Sequence, residues 1–323
     1  GTPDTVMVHF GWMRLQQPSF TDRHYGYSHY NAASGLVGAV VPVQPAGDYG
    51  GYVGMDVTSD NKAIPGGHNI LGNIGATQAH LYWDFGPGIG FFNAQDRVDD
   101  SVASFAATPV QNVIWPKFAY QEGTATVTHV IAQVSAPNAA DPQAIYYFRK
   151  VGVENAGSWD YPPYVIDTIY DLSHDIVASQ TSDMVAMAWT ANLTYTGVGN
   201  AQHPLGFQDD TLSGESPIHV QWDNDVYYQI SDDQGATWGN RVNITKNRLG
   251  EAGYRAYTDL TTLIDINDDL HIAWSGPAWP EDPAADGWSG FYCRLFMWSE
   301  NIGAIRTVAS AEWSTPNVDT LIE

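Results

Sequence analysis

The sequence predicts an all-β protein made of repeated antiparallel sheets, and three observations support this. Long stretches with apolar residues at helical spacing are absent from the 323 residues. Short alternating runs rich in β-branched and aromatic residues recur instead, such as 144–148, 226–230 and 270–274. Gly, Asn and Asp separate these runs and mark tight turns. We therefore expect strands joined by hairpins along the whole chain.

The composition narrows the possible partners and the compartment. The chain has 13 Lys and Arg against 36 Asp and Glu, a net charge of −23, which disfavours nucleic acid and anionic membrane surfaces as partners. No apolar run reaches the roughly 18 residues of a membrane span. The single Cys293 excludes an intrachain disulfide and a Cys-based zinc site. With 12 Trp, 18 Tyr and few Lys, the composition indicates an extracellular or cell-surface protein, of bacterial type.

The clearest motif is the segment 231–238, Ser-Asp-Asp-Gln-Gly-Ala-Thr-Trp. It resembles the Asp-box, or bacterial neuraminidase repeat, of sialidase-like β-propellers, with matches at Ser231, Asp233, Gly235, Thr237 and Trp238. A carboxylate and hydroxyls can satisfy the turn amides, and Gly permits positive φ. The resemblance implies a structural turn between the third and fourth strands of a propeller blade.

Weaker copies of this turn occur along the chain. The segment 299–305 aligns without a gap, 155–159 is one residue short, and 83–86 is looser. The aligned glycines are Gly86, Gly157, Gly235 and Gly303. One supersecondary unit repeated at a nearly constant spacing is typical of a propeller or a solenoid.

A second set of hairpins, with turns near residues 60, 122, 183 and 268, alternates with the first. The segment 319–323 resembles 261–265, and 5–11 resembles 269–275, so the two ends supply the halves of a fifth hairpin. We therefore expect residues 1–323 to form one propeller domain of five four-stranded blades, closed by pairing of the N- and C-terminal strands. Part of a six- or seven-bladed ring is the alternative. The predicted innermost strands are 52–57, 116–120, 175–179, 259–265 and 317–322.

Binding residues concentrate on loops held by a rigid scaffold, so we place the candidate face at the connections between second and third strands. These connections are predicted at 12–25, 69–79, 134–143, 191–223 and 276–290. The candidate ligand-binding residues are Trp12, Arg14, Arg23, His24, Tyr25, His203, Asp209, Trp279, Asp282 and Trp288.

The sequence leaves three functions open. The first is a non-catalytic recognition or assembly module for a glycan or a protein. The second is a glycoside hydrolase, sialidase-like or five-bladed, that uses carboxylates at the channel mouth. Asp56, Asp175, Asp259 and Asp265 lie near predicted inner strands, but no catalytic residue can be assigned and the early Arg-Ile-Pro signature of sialidases is missing. The third is a structural subunit of an extracellular assembly. The oligomeric state is not predicted.

The sequence predicts no metal and no cofactor. The oxygen-rich segments 265–269 and 223–225 have spacings that calcium accepts, but neither matches a full calcium loop, and an acidic β-turn is the favoured interpretation. The ten His show no pair at helical ligand spacing, which disfavours a transition-metal site. Calcium remains the alternative.

Overall fold

A computed structural model describes most of the chain. The described residues are 6–15, 23–70, 77–98, 113–134, 143–160, 162–169, 173–192, 224–247, 252–257, 259–279 and 289–312. Their regular structure is β apart from one 3-10 turn, Glu154–Ala156, so the all-β prediction is confirmed. Within these residues no helix has the length and apolarity needed to cross a membrane.

Contacts divide the chain into two compact units. The first contains Gly1–Ser135, Ala144–Ile166 and Gln234–Ala236, and the second contains Ala136–Gln143, Asp167–Asp233 and Thr237–Glu323. Across the described ranges the strands form five antiparallel sheets, which we number 1 to 5 in chain order.

The first unit contains sheets 1 to 3. Sheet 1 has β1 (Met7–Leu15), β2 (Arg23–Asn31), β3 (Leu36–Val37) and β4 (Val41–Pro42). Sheet 2 has β5 (Tyr49–Val57), β6 (Ala63–Ile70), β7 (Thr77–Asp84) and β8 (Phe92–Arg97). Sheet 3 has β9 (Val113–Glu122), β10 (Thr126–Val134), β11 (Gln143–Val151) and β12 (Ser158–Trp159), and β13 (Tyr164–Ile169) also pairs with β11. The boundary between the units falls within β13, after Ile166.

The second unit contains sheets 4 and 5. Sheet 4 has β14 (His174–Ala178), β15 (Val185–Asn192), β16 (Asn224–Ser231) and β17 (Val242–Asn243). Sheet 5 has β18 (Gly253–Tyr254), β19 (Leu260–Ile264), β20 (Leu270–Trp279), β21 (Ser289–Ser299) and β22 (Ile305–Glu312). In sheets 2 to 5 the main run of four strands follows chain order.

The predicted hairpin pattern agrees with these sheets. The strands β5, β9, β14 and β19 occupy four of the five predicted inner-strand segments, and the fifth, 317–322, lies outside the described residues. The turns after these strands fall near 60, 123, 181 and 267, as predicted. The strand pattern therefore follows from alternating apolar residues and acidic turns.

The turns between third and fourth strands also lie where the motif copies predict them, but two details differ. Gly235 and Gly303 have φ of +75° and +63°, as expected for turn glycines. In sheets 2 and 3 the aligned Gly86 and Gly157 are not left-handed; the left-handed glycines there are Gly88, Gly90 and Gly152. The loops differ in length, so the left-handed position moves along the sequence.

The apolar core of each unit lies between neighbouring sheets. In the first unit, Leu81 and Trp83 of sheet 2 pack with Val130 and Phe148 of sheet 3. Tyr25 and Tyr27 of sheet 1 form a second cluster with residues of sheet 2. In the second unit the core between sheets 4 and 5 consists mainly of Ala186, Ala188, Val226, Leu270, Ile272, Trp274 and Trp298. Each sheet thus buries apolar side chains against its neighbour within the unit.

Candidate functional site

The connections that were predicted to carry the site lie largely outside the described residues. These segments are 16–22, 71–76, 135–142, 193–223 and 280–288. His203, Asp209, Asp282 and Trp288 fall within them, and for Trp279, the last residue of β20, only the backbone is described. The strand ends that hold these connections are described, and the site can be built from them.

The β1–β2 hairpin brings the remaining candidates together in the first unit. Trp12 pairs with Gly26, and Arg14 pairs with His24. Arg14 is exposed, and Arg23 and His24 are partly buried. Tyr25 is fully buried, and its hydroxyl donates to the backbone oxygen of His68 at 2.7 Å. The expectation that Tyr25 contributes to a surface is therefore corrected: it is a core residue that joins sheets 1 and 2.

Two β-bulges shape this end of the first unit. In β5, Tyr52 and Val53 are inserted between the pairs Gly51–His68 and Gly54–Gly66. In β9, Trp115 is inserted with its neighbour between the pairs Ile114–Gln133 and Lys117–Ile131. Bulges redirect side chains and are frequent beside functional sites.

Tyr52 and Trp115 have an unusual backbone conformation in these bulges. Their φ angles are +57° and +50°, which is rare for bulky residues. Such a strained conformation persists only where the rest of the fold stabilises it. Residues of this kind are concentrated at functional sites. The conformation motivates a functional interpretation of these two aromatic residues.

The two rings are in edge-to-face contact and form what we call the Tyr52–Trp115 platform. Their centroids are 6.0 Å apart with planes at 79°, and the Tyr52 ring lies 5.0 Å from the His68 ring. Tyr52 is 55% exposed. The platform lies at the end of sheets 2 and 3 from which the connections 71–76 and 135–142 emerge.

The electrostatics beside the platform combine one cation with a neutral imidazole. A Cβ built on Gly51 would lie 3.5 Å from Nη1 of Arg23, so the guanidinium covers the backbone next to Tyr52. Burial, and secondarily the charge of Arg23, lowers the pKa of His68 to about 4. His68 is therefore uncharged at neutral pH, and Arg23 provides the positive charge. An exposed aromatic face beside such polar groups can stack on a ligand and orient it by hydrogen bonds.

The inner-strand carboxylates proposed for catalysis have structural contacts. Asp56 accepts backbone N–H bonds from Tyr120 at 2.6 Å and Val57 at 2.8 Å, one on each oxygen. Burial nevertheless raises the pKa of Asp56 to about 6. Asp175 accepts the backbone N–H of Thr262 at 2.8 Å and its hydroxyl at 3.0 Å. Asp56 and Asp175 thus join neighbouring inner strands, β5 to β9 and β14 to β19.

The turn 231–238 is held by its own side chains. The Ser231 hydroxyl donates to Asp233 at 2.8 Å. Asp233 also accepts the backbone N–H of Thr237 at 2.8 Å and its hydroxyl at 2.6 Å. The turn joins the third and fourth strands of sheet 4, and the polar groups of Ser231, Asp233 and Thr237 bond within it. Trp238 is partly buried.

One group in the described part of the chain could hold a metal ion. Asp265, Asp269 and His271 each offer one ligand atom, and these three atoms lie within 4.8 Å of one another. From the sequence, the segment 265–269 is predicted to be an acidic turn, without a link to His271. The available signal was the strand periodicity, because Asp269 and His271 are two residues apart and so share a face of the sheet.

Comparisons with known proteins give structural similarities only. No protein-family model matches the chain. No curated protein matches it.

Among solved structures, the chain is similar to a thermostable family-43 glycoside hydrolase, with a TM-score of 0.43, 9% identity and 96% of each chain covered. It is also similar to the polysaccharide lyase Uly1, with a TM-score of 0.47, 10% identity, 93% of this chain and 70% of that one. A third similar structure is the phage phi92 endosialidase, with a TM-score of 0.39, 8% identity, 91% of this chain and 52% of that one. TM-scores below 0.5 leave both fold and function open.

Proposed function

We propose that this chain is a secreted or cell-surface β-propeller that binds a glycan without transforming it. The observation that carries the proposal is the Tyr52–Trp115 platform, in which two bulges bring an exposed Tyr ring and a partly buried Trp ring into edge-to-face contact at the end of the sheets where the connections emerge. Binding of a protein is the alternative for the same surface.

The proposed architecture is a ring of five blades, of the Asp-box type that segment 231–238 resembles. Support comes from the five antiparallel sheets among the described residues and from the repeated turns between third and fourth strands. In sheet 1, Val8, Tyr30 and Val37 form a row across three strands with 45%, 36% and 71% of their surfaces exposed. A neighbouring blade would cover such a row. Closure by a strand at 317–322 is part of this proposal.

The chemistry of the platform suits a carbohydrate. One face of a sugar ring carries C–H groups that pack on an aromatic face, and its hydroxyls need orienting donors and acceptors. Arg23, beside the backbone of Gly51, and the neutral His68, against the Tyr52 ring, can supply these. The overall charge of −23 favours a neutral glycan over a highly anionic one.

We propose that the chain is not catalytic because of the contacts that its inner-strand carboxylates make. A glycosidase needs two carboxyl groups about 5–10 Å apart that face the same bound sugar. Asp56 and Asp175 instead accept backbone N–H bonds from an adjacent strand. These bonds connect adjacent strands and favour a structural role for both carboxylates.

The test is a glycan-array binding screen with a hydrolysis assay on the same panel. We expect binding without turnover. Trp115→Ala and Tyr52→Ala should each weaken binding at least about tenfold. Aromatic residues that become buried in a complex commonly contribute more than about 1 kcal/mol to binding. Phe85→Ala is the matched control, because Phe85 is 67% exposed and lies in the β7–β8 turn, at the other end of sheet 2.

Two outcomes would overturn the proposal. Turnover that a single Asp→Asn change abolishes would make the protein a glycoside hydrolase. Absence of both binding and turnover would favour a structural role in an extracellular assembly.

A further inference from the structure

We propose that Asp265, Asp269 and His271 form a binding site for a divalent transition-metal ion, Zn²⁺ foremost. The site lies in the second unit, at the turn between β19 and β20. It is at the opposite end of sheet 5 from the connection 280–288. It uses none of the residues of the Tyr52–Trp115 platform, so the proposal does not depend on the glycan surface proposed above.

The distances between the ligand atoms fit a metal ion. Nε2 of His271 lies 3.6 Å from Oδ2 of Asp265 and 3.6 Å from Oδ2 of Asp269. Zn²⁺ binds N and O at about 2.0–2.2 Å in tetrahedral geometry, which puts neighbouring ligand atoms roughly 3.3–3.6 Å apart. The two distances to His271 match this spacing, and all three ligand atoms lie within 4.8 Å of one another.

The two carboxylates are already oriented for this role. Oδ1 of Asp265 accepts the backbone N–H groups of Asn267 at 2.8 Å and Asp269 at 3.0 Å. Oδ1 of Asp269 accepts the backbone N–H of Asn301, from the turn after β21, at 2.8 Å. In each case one oxygen is fixed by the backbone and the other faces His271. Metal ligands are commonly oriented in this way by surrounding hydrogen bonds.

The turn that carries the ligands is held from a second side. Asp268 has a φ of +60°, and its carboxylate accepts hydrogen bonds from the hydroxyls of Ser179 and Thr181 in the turn after β14. The conformation of the turn therefore does not depend on the metal. An ion would meet a formed site and would not have to order a loop.

The surrounding charge favours a cation. Glu300 follows β21, and its backbone N–H donates to the oxygen of Leu270, next to Asp269, at 3.0 Å. Glu300 and Asp232 both line a cavity of about 400 Å³ in the same unit. Within the described residues, His271 is the basic side chain paired with Asp265 and Asp269.

The donor set distinguishes between metals. Calcium takes six to eight oxygen ligands, whereas an imidazole nitrogen with two carboxylates suits Zn²⁺ and its transition-metal neighbours. Three protein ligands leave a fourth position for water or another ligand. Zn²⁺ is therefore the first ion to test, with Co²⁺ as a spectroscopic probe.

The experiment is a calorimetric titration of the full chain with ZnCl₂ after removal of metals by a chelator. We expect one saturable site, at least about tenfold weaker binding in His271→Ala and in His271→Gln, and a change in the visible absorption of Co²⁺ that both variants lose. Asp60→Asn is the control, because it removes one charge at the corresponding turn of sheet 2.

Three results would contradict the metal site, provided that the variants are folded. Circular dichroism establishes that each variant is folded, and His271 is only partly buried, so its replacement should leave no cavity. Absence of saturable Zn²⁺ binding by the natural chain would overturn the proposal. Equal binding by the natural chain and both His271 variants would also overturn it. Binding of Ca²⁺ in preference to Zn²⁺ would overturn the transition-metal assignment.

Discussion

Gly235 is a residue at which backbone conformation and packing impose the same requirement. It lies in the turn between β16 and β17 with a φ of +75°. A Cβ at this position would overlap Oη of Tyr147 and lie 3.2 Å from Nδ1 of His129. Those two side chains are joined by a 2.8 Å hydrogen bond and are buried. Only hydrogen fits between the turn and this pair.

Gly235→Ala should lower the free energy of unfolding by about 2–4 kcal/mol, because it combines left-handed strain with overpacking. Gly303→Ala is a matched control. Gly303 also has a left-handed φ, of +63°, but nothing lies within 4 Å of a Cβ there. Gly303→Ala should lower the free energy of unfolding only by the cost of the left-handed backbone, about 1 kcal/mol. Urea unfolding followed by tryptophan fluorescence measures both, and equal losses would contradict the packing argument.

Between strands, a buried ion pair joins sheet 2 to sheet 3. Nζ of Lys150 in β11 lies 2.6 Å from Oδ2 of Asp96 in β8, with both side chains under 10% exposed. The indole N–H of Trp83 donates to the same carboxylate oxygen at 2.7 Å. The second unit contains a comparable set, in which Asp167 contacts the indole of Trp189 at 2.9 Å and Arg241 at 3.1 Å.

Lys150→Met should destabilise the protein by about 3–5 kcal/mol, because it leaves the carboxylate of Asp96 buried without its cation. Lys62→Met is the comparison. Lys62 pairs with Asp60 and Glu154 at 3.4 and 3.5 Å, and both of those side chains are exposed. It should cost less than about 1 kcal/mol. Thermal unfolding of both variants measures the difference, and a similar loss in the two would show that the buried pair has no special role.

The strands and the elements of the site differ in how far sequence determines them. Strand positions were predictable because alternation and acidic turns are local signals, and β5, β9, β14 and β19 lie where the pattern places them. The bulges at Tyr52 and Trp115 were not predicted, since a bulge depends on the register with the partner strand. Lys150 and Asp96 are also far apart in sequence, and only the packing of sheets 2 and 3 brings them together.

At the scale of the whole molecule, one of the four buried histidines among the described residues, His174, belongs to the second unit, and the other three are in the first unit. His68, His80 and His129 all lie there, and each is less than 10% exposed. Burial, with nearby arginines as the second cause, lowers the pKa of His68 and His80 to about 4 and that of His129 to about 3. Unfolded histidine has a pKa near 6.5. The unfolded chain therefore takes up protons below pH 6.5 that the folded unit does not.

The sign of the pH dependence follows from these depressed pKa values. The stability that the neutral histidines provide is complete above about pH 6.5 and is lost as the pH falls, by about 1.4 kcal/mol per pH unit for each residue. Asp56 and Asp96 act in the opposite sense, because burial raises their pKa values. Three histidines outweigh two carboxyl groups, so the net effect of acid on the first unit is destabilising.

We therefore expect the first unit to unfold before the second when the pH is lowered from 7.5 to 5. Urea unfolding should change from one transition to two, and hydrogen exchange should locate the earlier one in sheets 1 to 3. His129→Gln should reduce the proton uptake on unfolding by about one, because it removes one depressed imidazole. Measurements at high salt separate the effect of the buried histidines from the effect of the net charge. Screening weakens the repulsion among exposed charged groups and leaves the burial of the histidines unchanged. Equal acid sensitivity of the two units, or a slope that His129→Gln does not alter, would contradict this account.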